Sequence, residues 1–153
     1  MPQVADGLTI IGRRDRIDLP ELGYRNIKAK VDTGAFGSAI HCSHIEVVRR
    51  KGKELLSFIL LDQDHPGYRE EVHYAEHFAD KVVKSSSGEA EHRYIITTDV
   101  VIFGKRFPTE FSLTNRSDMK YPVLLGRKFL RKRFVVDVRL RELSYKHKRK
   151  KRK

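Results

Sequence analysis

Asp32 is the residue whose surroundings most clearly predict chemistry. It begins an Asp-Thr-Gly turn (Asp32, Thr33, Gly34) directly after an apolar, β-prone segment, and Ala35 follows. A second apolar segment, residues 124–127, reads Leu-Leu-Gly-Arg near the other end of the chain. Alone, Asp-Thr-Gly is typical of an ordinary turn, with glycine at the sharp bend. Val31 before the turn, Ala35 after it and the later Leu-Leu-Gly-Arg segment together favour a catalytic carboxylate over an ordinary turn.

A carboxylate in such a loop can hydrolyse a peptide bond when a second carboxylate lies beside it. The two groups cannot both ionise, so they share one proton. One then takes a proton from water while the other polarises the scissile carbonyl. Because the chain holds one Asp-Thr-Gly, we expect Asp32 of a second copy to complete the pair in a homodimer with two-fold symmetry. Thr33 is then placed to bond to the partner loop.

Short apolar and β-branched segments separated by turn residues predict an all-β barrel or sandwich. The predicted strands are residues 9–17, 26–31, 45–48, 55–61, 72–78, 82–84, 94–103, 106–113, 123–125 and 134–138. Gly104-Lys105 predicts a tight hairpin between two of them. The one predicted helix covers residues 127–131. We expect one domain at residues 1–143, followed by a disordered basic tail at 144–153.

The positive charge is concentrated in that tail. The formal net charge is +12, and residues 146–153 hold seven Lys or Arg together with one His, which leaves +5 on the other residues. Such a tail can bind the ribosome, RNA or another polyanion, or can simply be solvated without a partner. Cys42 is the one cysteine and is expected to be a small buried hydrophobe. No segment predicts a signal peptide or a membrane span, so a cytoplasmic location without a membrane partner is expected.

The chain resembles the retropepsin-like family that often carries the label of an ATP-dependent zinc protease. Members of that family sit beside ATP-grasp glutamate ligases that modify a ribosomal protein. The resemblance covers residues 8 to about 138 and rests on residues 11–14, 19–23, 27–35, 38–41, 93–96, 113–119 and 124–127. It does not include the basic C-terminal segment.

The resemblance implies a single-lobe, pepsin-like closed β-barrel with one short helix, and peptidase activity on acidic peptides or glutamate tails. Asp32, with Thr33 and Gly34, corresponds to the catalytic segment of the family. The resemblance also implies that this loop presents a carboxylate and that the Leu-Leu-Gly segment packs beneath it. An ATP-grasp glutamate ligase is the implied partner. The chain has no Gly-x-x-x-x-Gly-Lys loop, so no ATP site is visible and no cofactor is expected. Phe36 departs from the polar or basic residue that similar proteins usually carry.

Several residues near the motifs are candidates for substrate binding or for support of the active site. Arg93 and Arg116 lie in segments of the resemblance, and guanidinium groups pair well with carboxylates, so each is expected to bind either an acidic substrate or a structural acid. Ala35 and Phe36 are expected at the mouth of the site. Alanine cannot donate a hydrogen bond to the neighbouring carboxylate, which predicts activity nearer neutral pH than that of pepsin-like acid enzymes. Support is expected from Leu125, Gly126 and Arg127, the last through an ion pair.

Two alternative functions stay open at this point. His73, Glu76 and His77 match the His-x-x-Glu-His pattern of a zinc hydrolase, but that chemistry needs a helix, and the surrounding residues favour a strand. His41, Cys42 and His44 form a looser set of possible ligands. The second alternative is a non-catalytic module that binds the ribosome or nucleic acid through the basic tail.

Overall fold

The structure, a computed structural model, describes residues 7–84, 87–116 and 120–151. Eleven strands and two α-helices are present in these ranges, together with a 3-10 turn at Pro20–Leu22. The strands are β1 (Thr9–Ile11), β2 (Arg14–Leu19), β3 (Tyr24–Val31), β4 (Ser38–Arg50), β5 (Lys53–Leu60), β6 (Val72–Ala75), β7 (Ala79–Lys84), β8 (Ala90–Ile102), β9 (Lys105–Thr114), β10 (Val123–Leu125) and β11 (Phe134–Val136). The helices are α1 (Arg127–Leu130) and α2 (Leu143–Lys151).

Six of the strands close into a barrel. Their hydrogen-bonded order is β10-β3-β2-β8-β9-β4, and a pairing of β10 with β4 completes the ring. β2 and β3 pair antiparallel, whereas β10 pairs parallel with β3. β1 and β11 form a separate two-stranded parallel sheet. The predicted all-β class and closed barrel are therefore confirmed, while the expectation of a single short helix was wrong because α2 was missed.

The chain divides into two compact units. The first comprises residues 1–38, 98–109 and 121–153. Its strands alternate between buried and exposed residues with the period of two that a half-buried strand requires, as in β2, where Ile17 and Leu19 are buried and their neighbours are partly exposed. Four aromatic rings pack against one another in the same unit: Phe103, Phe107, Phe129 and Phe134. Burial of these apolar surfaces is the main stabilising contribution.

The second unit comprises residues 39–97 and 110–120. In it β5 pairs antiparallel with both β4 and β6, and β7 pairs with β8. Leu56, Phe58 and Leu60 are almost completely buried. Cys42 is buried as well, as predicted, and burial raises the pKa of its thiol. A thiol with a raised pKa is a poor nucleophile, so Cys42 serves as a core residue.

The predicted disordered tail was wrong for residues 144–151, which belong to α2. The carboxylate of Asp15, on β2, accepts the backbone N–H groups of Ser144 at 2.9 Å and Tyr145 at 3.1 Å. Ser144 Oγ in turn accepts the N–H of Phe103 at 2.8 Å. These bonds satisfy donors that a helix leaves free at its N-terminus, and they offset the repulsion among the basic side chains. Arg152 and Lys153 lie outside the described residues.

Two strand boundaries also differ from the prediction. β4 begins at Ser38, whereas the prediction began it at residue 45. The prediction missed this part because Ile40, His41 and Cys42 are buried in succession and lack the alternation of apolar and polar residues that indicates a strand. The hairpin between β8 and β9 turns at Phe103 and Gly104, whose φ values are 53° and 71°. Two positive φ angles in a two-residue turn match the twist of the flanking strands, so the turn falls one residue earlier than predicted. No helix among the described ranges is long and apolar enough to cross a membrane.

Candidate active site

Asp32 directly follows β3 and is held by the end of β10. Val31 pairs with Leu125 in the parallel ladder of β3 and β10. The N–H of Asp32 then donates to the carbonyl of Leu125 at 2.9 Å. The family resemblance implied that these two segments meet, and the hydrogen bond and the strand pairing show that they do. The pairing fixes where the aspartate leaves the sheet.

The turn fixes one oxygen of the Asp32 carboxylate. Gly34 N–H donates to Oδ1 at 3.1 Å, and Ala35 N–H donates to the carbonyl of Asp32 at 3.3 Å. Within the described ranges the Gly34 amide is the one hydrogen-bond donor to this carboxylate, so Oδ2 has no partner there. Asp32 is partly exposed and Thr33 is exposed. The carboxylate is therefore oriented at one oxygen and open at the other.

Gly126 lies against the far side of the same turn. A Cβ atom at this position would lie 2.3 Å from the carbonyl oxygen of Gly37 and 2.7 Å from that of Phe36. Such distances are much shorter than carbon–oxygen contact, so only glycine lets the two backbones approach this closely. The N–H of Gly126 donates to Ser38 Oγ at 3.0 Å. Gly126 therefore sets the distance between the Leu-Leu-Gly segment and the turn.

The first amides of α1 hold the residues that follow the turn. Arg127 N–H donates to the carbonyl of Ala35 and Lys128 N–H to that of Phe36, both at 2.9 Å. Helix N-termini have free N–H groups that need acceptors, and here the loop supplies them. Arg127 also donates from Nη1 to the carbonyl of Thr33 at 3.0 Å. The expected ion pair of Arg127 is thus replaced by a bond to a backbone carbonyl.

Phe36 forms an exposed aromatic surface beside this loop. Its side chain is 52% exposed. The guanidinium carbons of Arg127 and Arg131 lie 5.9 and 5.5 Å from the centre of its ring, within the range of cation–π attraction. The rim of the site in the first unit is consequently apolar and cationic. We refer to Phe36, Arg127 and Arg131 as the rim.

Arg93 and Arg116, the other two predicted substrate-binding residues, belong to the second unit. Arg93 is exposed on β8, opposite Lys81 of β7. Neither arginine has an ion pair to an acid among the described residues, so a structural pairing is not observed there. Arg116 is exposed as well, and its backbone N–H donates to His41 Nδ1 at 3.0 Å. Their role in binding substrate stays a prediction.

The sequence did not predict that buried His41 pairs with the half-buried Asp62. His41 Nε2 lies 2.6 Å from Asp62 Oδ2, and hydrogen bonding to His41 lowers the pKa of Asp62. His41 Nδ1 lies 3.0 Å from the backbone N–H of Arg116 and 3.3 Å from the carbonyl oxygen of Thr114. In the tautomer that accepts the Arg116 N–H, Nε2 carries the proton and donates to Asp62. The signal in the sequence was a histidine next to buried Ile40 and Cys42, since a buried imidazole needs a polar partner.

The possible zinc ligands are not brought together. His73 lies on β6, stacked on Phe58 at 5.6 Å between ring centres, and Glu76 bonds to Lys53 at 3.0 Å. His77 is exposed beyond the end of the strand. The described part of the chain holds no group of three or more His, Cys, Asp or Glu side chains placed for a metal ion. A strand in place of the required helix explains why the His-x-x-Glu-His pattern does not form such a site.

Comparison with known proteins gives one family match. A family model described as the retropepsin-like aspartic endopeptidase RimB matches residues 10–147. The match extends into α2 and therefore further than the resemblance noted from the motifs.

Curated proteins and a solved structure are also similar to this chain. A probable alpha-L-glutamate ligase of Desulfotalea psychrophila is 37% identical over 132 residues, which is 84% of this chain and 28% of the relative. A protein of the same name from Shewanella pealeana is 38% identical over 141 residues, 88% of this chain and 29% of the relative. The chain thus spans less than a third of the length of these relatives. A Legionella pneumophila crystal structure, of a protein with unknown function, matches with a TM-score of 0.64 at 24% identity and covers 88% of this chain and 97% of that one, which shows a shared fold.

Proposed function

Because the chain belongs to the RimB-like family of retropepsin-like aspartic endopeptidases, we propose that it hydrolyses peptide bonds through Asp32. The observation that carries this proposal is the half-fixed carboxylate. Gly34 holds Oδ1, the Leu125 carbonyl holds the backbone of Asp32, and no donor among the described residues reaches Oδ2. A rigid turn with one free oxygen suits a group that must hold a water molecule and take its proton.

The reaction needs a second carboxylate, and we propose that Asp32 of a second copy supplies it. A dyad with one shared proton then has one carboxylate to take a proton from water. The protonated partner donates a hydrogen bond to the scissile carbonyl, whose oxygen gains negative charge as water attacks. Thr33 is exposed, and in this proposal its hydroxyl bonds to the partner turn. Both copies present identical turns, as an isologous interface requires.

The substrate in this proposal is a glutamate-rich peptide or a glutamate tail. The rim offers two guanidinium groups around an exposed ring, which suits acidic side chains with methylene stems. Arg93 and Arg116 are further candidates for carboxylate binding. The names of the curated relatives point to an alpha-L-glutamate ligase as the enzyme whose product this peptidase trims.

The test compares wild type with Asp32→Asn on a glutamate-rich peptide and on a neutral peptide of equal length. We expect Asp32→Asn to lower the rate by about 10²–10⁴-fold, the usual contribution of general acid–base catalysis. Asp64→Asn is the matched control, since it removes the charge of an exposed aspartate in the second unit. An Asp32→Asn protein that retains wild-type activity would overturn the proposal.

A mixing experiment tests the shared dyad separately. When wild type and Asp32→Asn exchange subunits at equal concentrations, about a quarter of the dimers have two intact aspartates. Activity should therefore fall to about a quarter of that of the same total concentration of wild type. Independent active sites would leave about half. The second result would refute the dyad across two copies but not the role of Asp32.

A further inference from the structure

Two exposed lysines lie along β3 on the way to Asp32. From residue 27 to residue 31 the strand alternates between buried and exposed positions, with Lys28 and Lys30 exposed. Asp32 directly follows the strand and is partly exposed. Because successive side chains of a strand point to opposite faces, Lys28, Lys30 and Asp32 lie on one side of the sheet. At the usual rise of a strand, Lys30 is about 7 Å and Lys28 about 13 Å from Asp32 along the backbone.

These two lysines face other cations across the sheet. In the antiparallel ladder of β2 and β3, Lys28 pairs with Arg16 and Lys30 pairs with Arg14. Neither lysine forms an ion pair with an acid within the described ranges. Like charges directly opposite one another destabilise a sheet. The fold therefore retains a repulsion at this surface that a bound anion would relieve.

The arginines on β2 already have acceptors, unlike the lysines opposite them. Arg14 Nη1 donates to the hydroxyl of Tyr121 at 2.9 Å. Arg16 Nε donates to the carboxylate of Glu142 at 3.0 Å. The ammonium groups on β3 are consequently the cations of this pair of strands that have no acidic partner among the described residues. They are the groups that an anionic ligand would meet first.

We propose that Lys28 and Lys30 bind alternate carboxylates of an extended acidic peptide whose scissile bond lies at Asp32. This inference rests on the proposed peptidase activity and adds which substrate residues the chain recognises. In an extended peptide, side chains two residues apart point to the same side and lie about 6.6–6.8 Å apart. The two lysines have the same spacing, because they are two residues apart on a strand. Every second carboxylate of the peptide therefore meets an ammonium group.

The other neighbour of Lys30 favours a glutamate side chain over a nucleotide. Leu124 of β10 pairs with Lys30 in the parallel ladder and is half-buried. Its aliphatic surface suits the methylene stem of a glutamate whose carboxylate reaches the ammonium group. Single-stranded nucleic acid is usually held by aromatic rings on which its bases stack, and Leu124 provides no such ring.

The experiment measures peptide binding by fluorescence anisotropy to the full chain carrying Asp32→Asn, so that hydrolysis does not consume the peptide. Two fluorescein-labelled peptides of about eight residues have the same composition, with a pair of glutamates among glutamines. In the alternate peptide one glutamine separates the glutamates, and in the adjacent peptide the glutamates are neighbours. Because their net charge is equal, a difference in affinity reports the spacing of the carboxylates. We expect the alternate peptide to bind about threefold to fivefold more tightly, the contribution of one further exposed ion pair.

The test variant adds Lys28→Gln/Lys30→Gln to that chain. It should bind the alternate peptide about tenfold more weakly and should no longer distinguish the two peptides. The matched control is Lys146→Gln/Lys150→Gln, which removes the same charge from exposed lysines of the same unit. Thermal unfolding checks that each variant retains the fold. Equal affinity for the two peptides before the lysines are changed, or an equal loss in the control, would overturn the proposal.

Two further measurements separate this inference from its alternatives. With Asp32 intact, Lys28→Gln/Lys30→Gln should raise KM for the alternate peptide about tenfold and leave the hydrolysis of a neutral peptide unchanged. An equal loss of activity on both would refute a role in recognition. Retained activity of Asp32→Asn would refute the proposed peptidase, whereas the binding comparison tests the lysines without catalysis. Equal competition by single-stranded RNA of the same charge would assign the surface to phosphates and overturn the proposal.

Discussion

Replacing Gly126 by alanine should push apart the two segments that hold Asp32. The new Cβ would lie 2.3 Å from the carbonyl oxygen of Gly37. The Cβ atom and this oxygen must move 0.7 Å apart to reach 3.0 Å, the lower limit of observed contacts, and 1.1 Å apart to reach ordinary contact at 3.4 Å. The obstacle is backbone, so no side-chain rotation can provide that shift.

A displacement of this size breaks the bonds between α1 and the turn. The bonds from Arg127 N–H and Lys128 N–H are 2.9 Å long, and lengthening them by about 1 Å takes them beyond hydrogen-bonding distance. Two or three lost bonds at about 0.5–1.5 kcal/mol each, with residual strain, give a loss of roughly 2–4 kcal/mol in unfolding free energy. For a chain of this length that lowers Tm by roughly 5–15 °C. Misplacement of the carboxylate by about 1 Å should also lower peptidase activity by about 10²-fold.

Gly37→Ala is the matched control, because a Cβ there meets nothing within 4 Å. Calorimetry and denaturant unfolding of both variants measure the difference directly. A Gly126→Ala protein as stable as Gly37→Ala would refute the reasoning that close backbone approach at Gly126 positions the turn.

Three further predictions address other parts of the chain. Burial lowers the pKa of His73 below its ordinary value of 6.5, so the folded chain binds this proton less readily than the unfolded chain. The free energy of unfolding is therefore at its full value above pH 6.5 and falls as the pH drops below it. His73→Phe should flatten this dependence in urea titrations at about pH 7.5 and 5.5. Asp15→Ala leaves the N–H groups of Ser144 and Tyr145 without acceptors, so it should destabilise the fold by roughly 2–4 kcal/mol and expose α2 to trypsin, whereas Asp99→Ala should not expose α2. Ala35→Ser adds a hydroxyl to the turn that begins at Asp32, and a bond from that hydroxyl to the carboxylate should move the acid limb of the pH–rate profile to lower pH. A wild-type profile that already peaks below about pH 4 would contradict the effect assigned to alanine.

The sequence predicted the elements whose signal is local. The Asp-Thr-Gly turn and the Leu-Leu-Gly segment each carry a glycine where the backbone needs one, whereas the long-range meeting of Asp32 with Leu125 was implied by the family resemblance and not by a local pattern. The strands with regular alternation, such as β2 and β3, were also found within a few residues. These features depend on neighbours in sequence, so a pattern can indicate them.

The features that were missed depend on distant partners. α2 looked disordered because its charges repel, and the acceptor that caps it, Asp15, lies 129 residues before Ser144. The first part of β4 lacks an alternation of buried and exposed residues because His41 is buried there. The polar partner that a buried imidazole needs is Asp62, which lies 21 residues away. The turn at Phe103 needs a positive φ at a residue that rarely adopts it. A pattern within a short window of sequence predicts none of these three features.

The bond between Asp15 and α2 has a consequence for the order of events during synthesis. The first unit draws on residues 1–38, 98–109 and 121–153, whereas most of the second is the continuous stretch 39–97. A nascent chain emerging from the exit tunnel therefore exposes most of the second unit before Ser144 exists to meet Asp15. Local contacts form quickly and distant ones slowly, so the β2–β3 pair and the β4, β5 and β6 strands should acquire protection from protease while Asp15 still lacks Ser144 and β3 still lacks β10. Until residues 123–125 are made, β3 lacks its β10 neighbour, and an unpaired strand edge of this kind favours aggregation of unfinished chains.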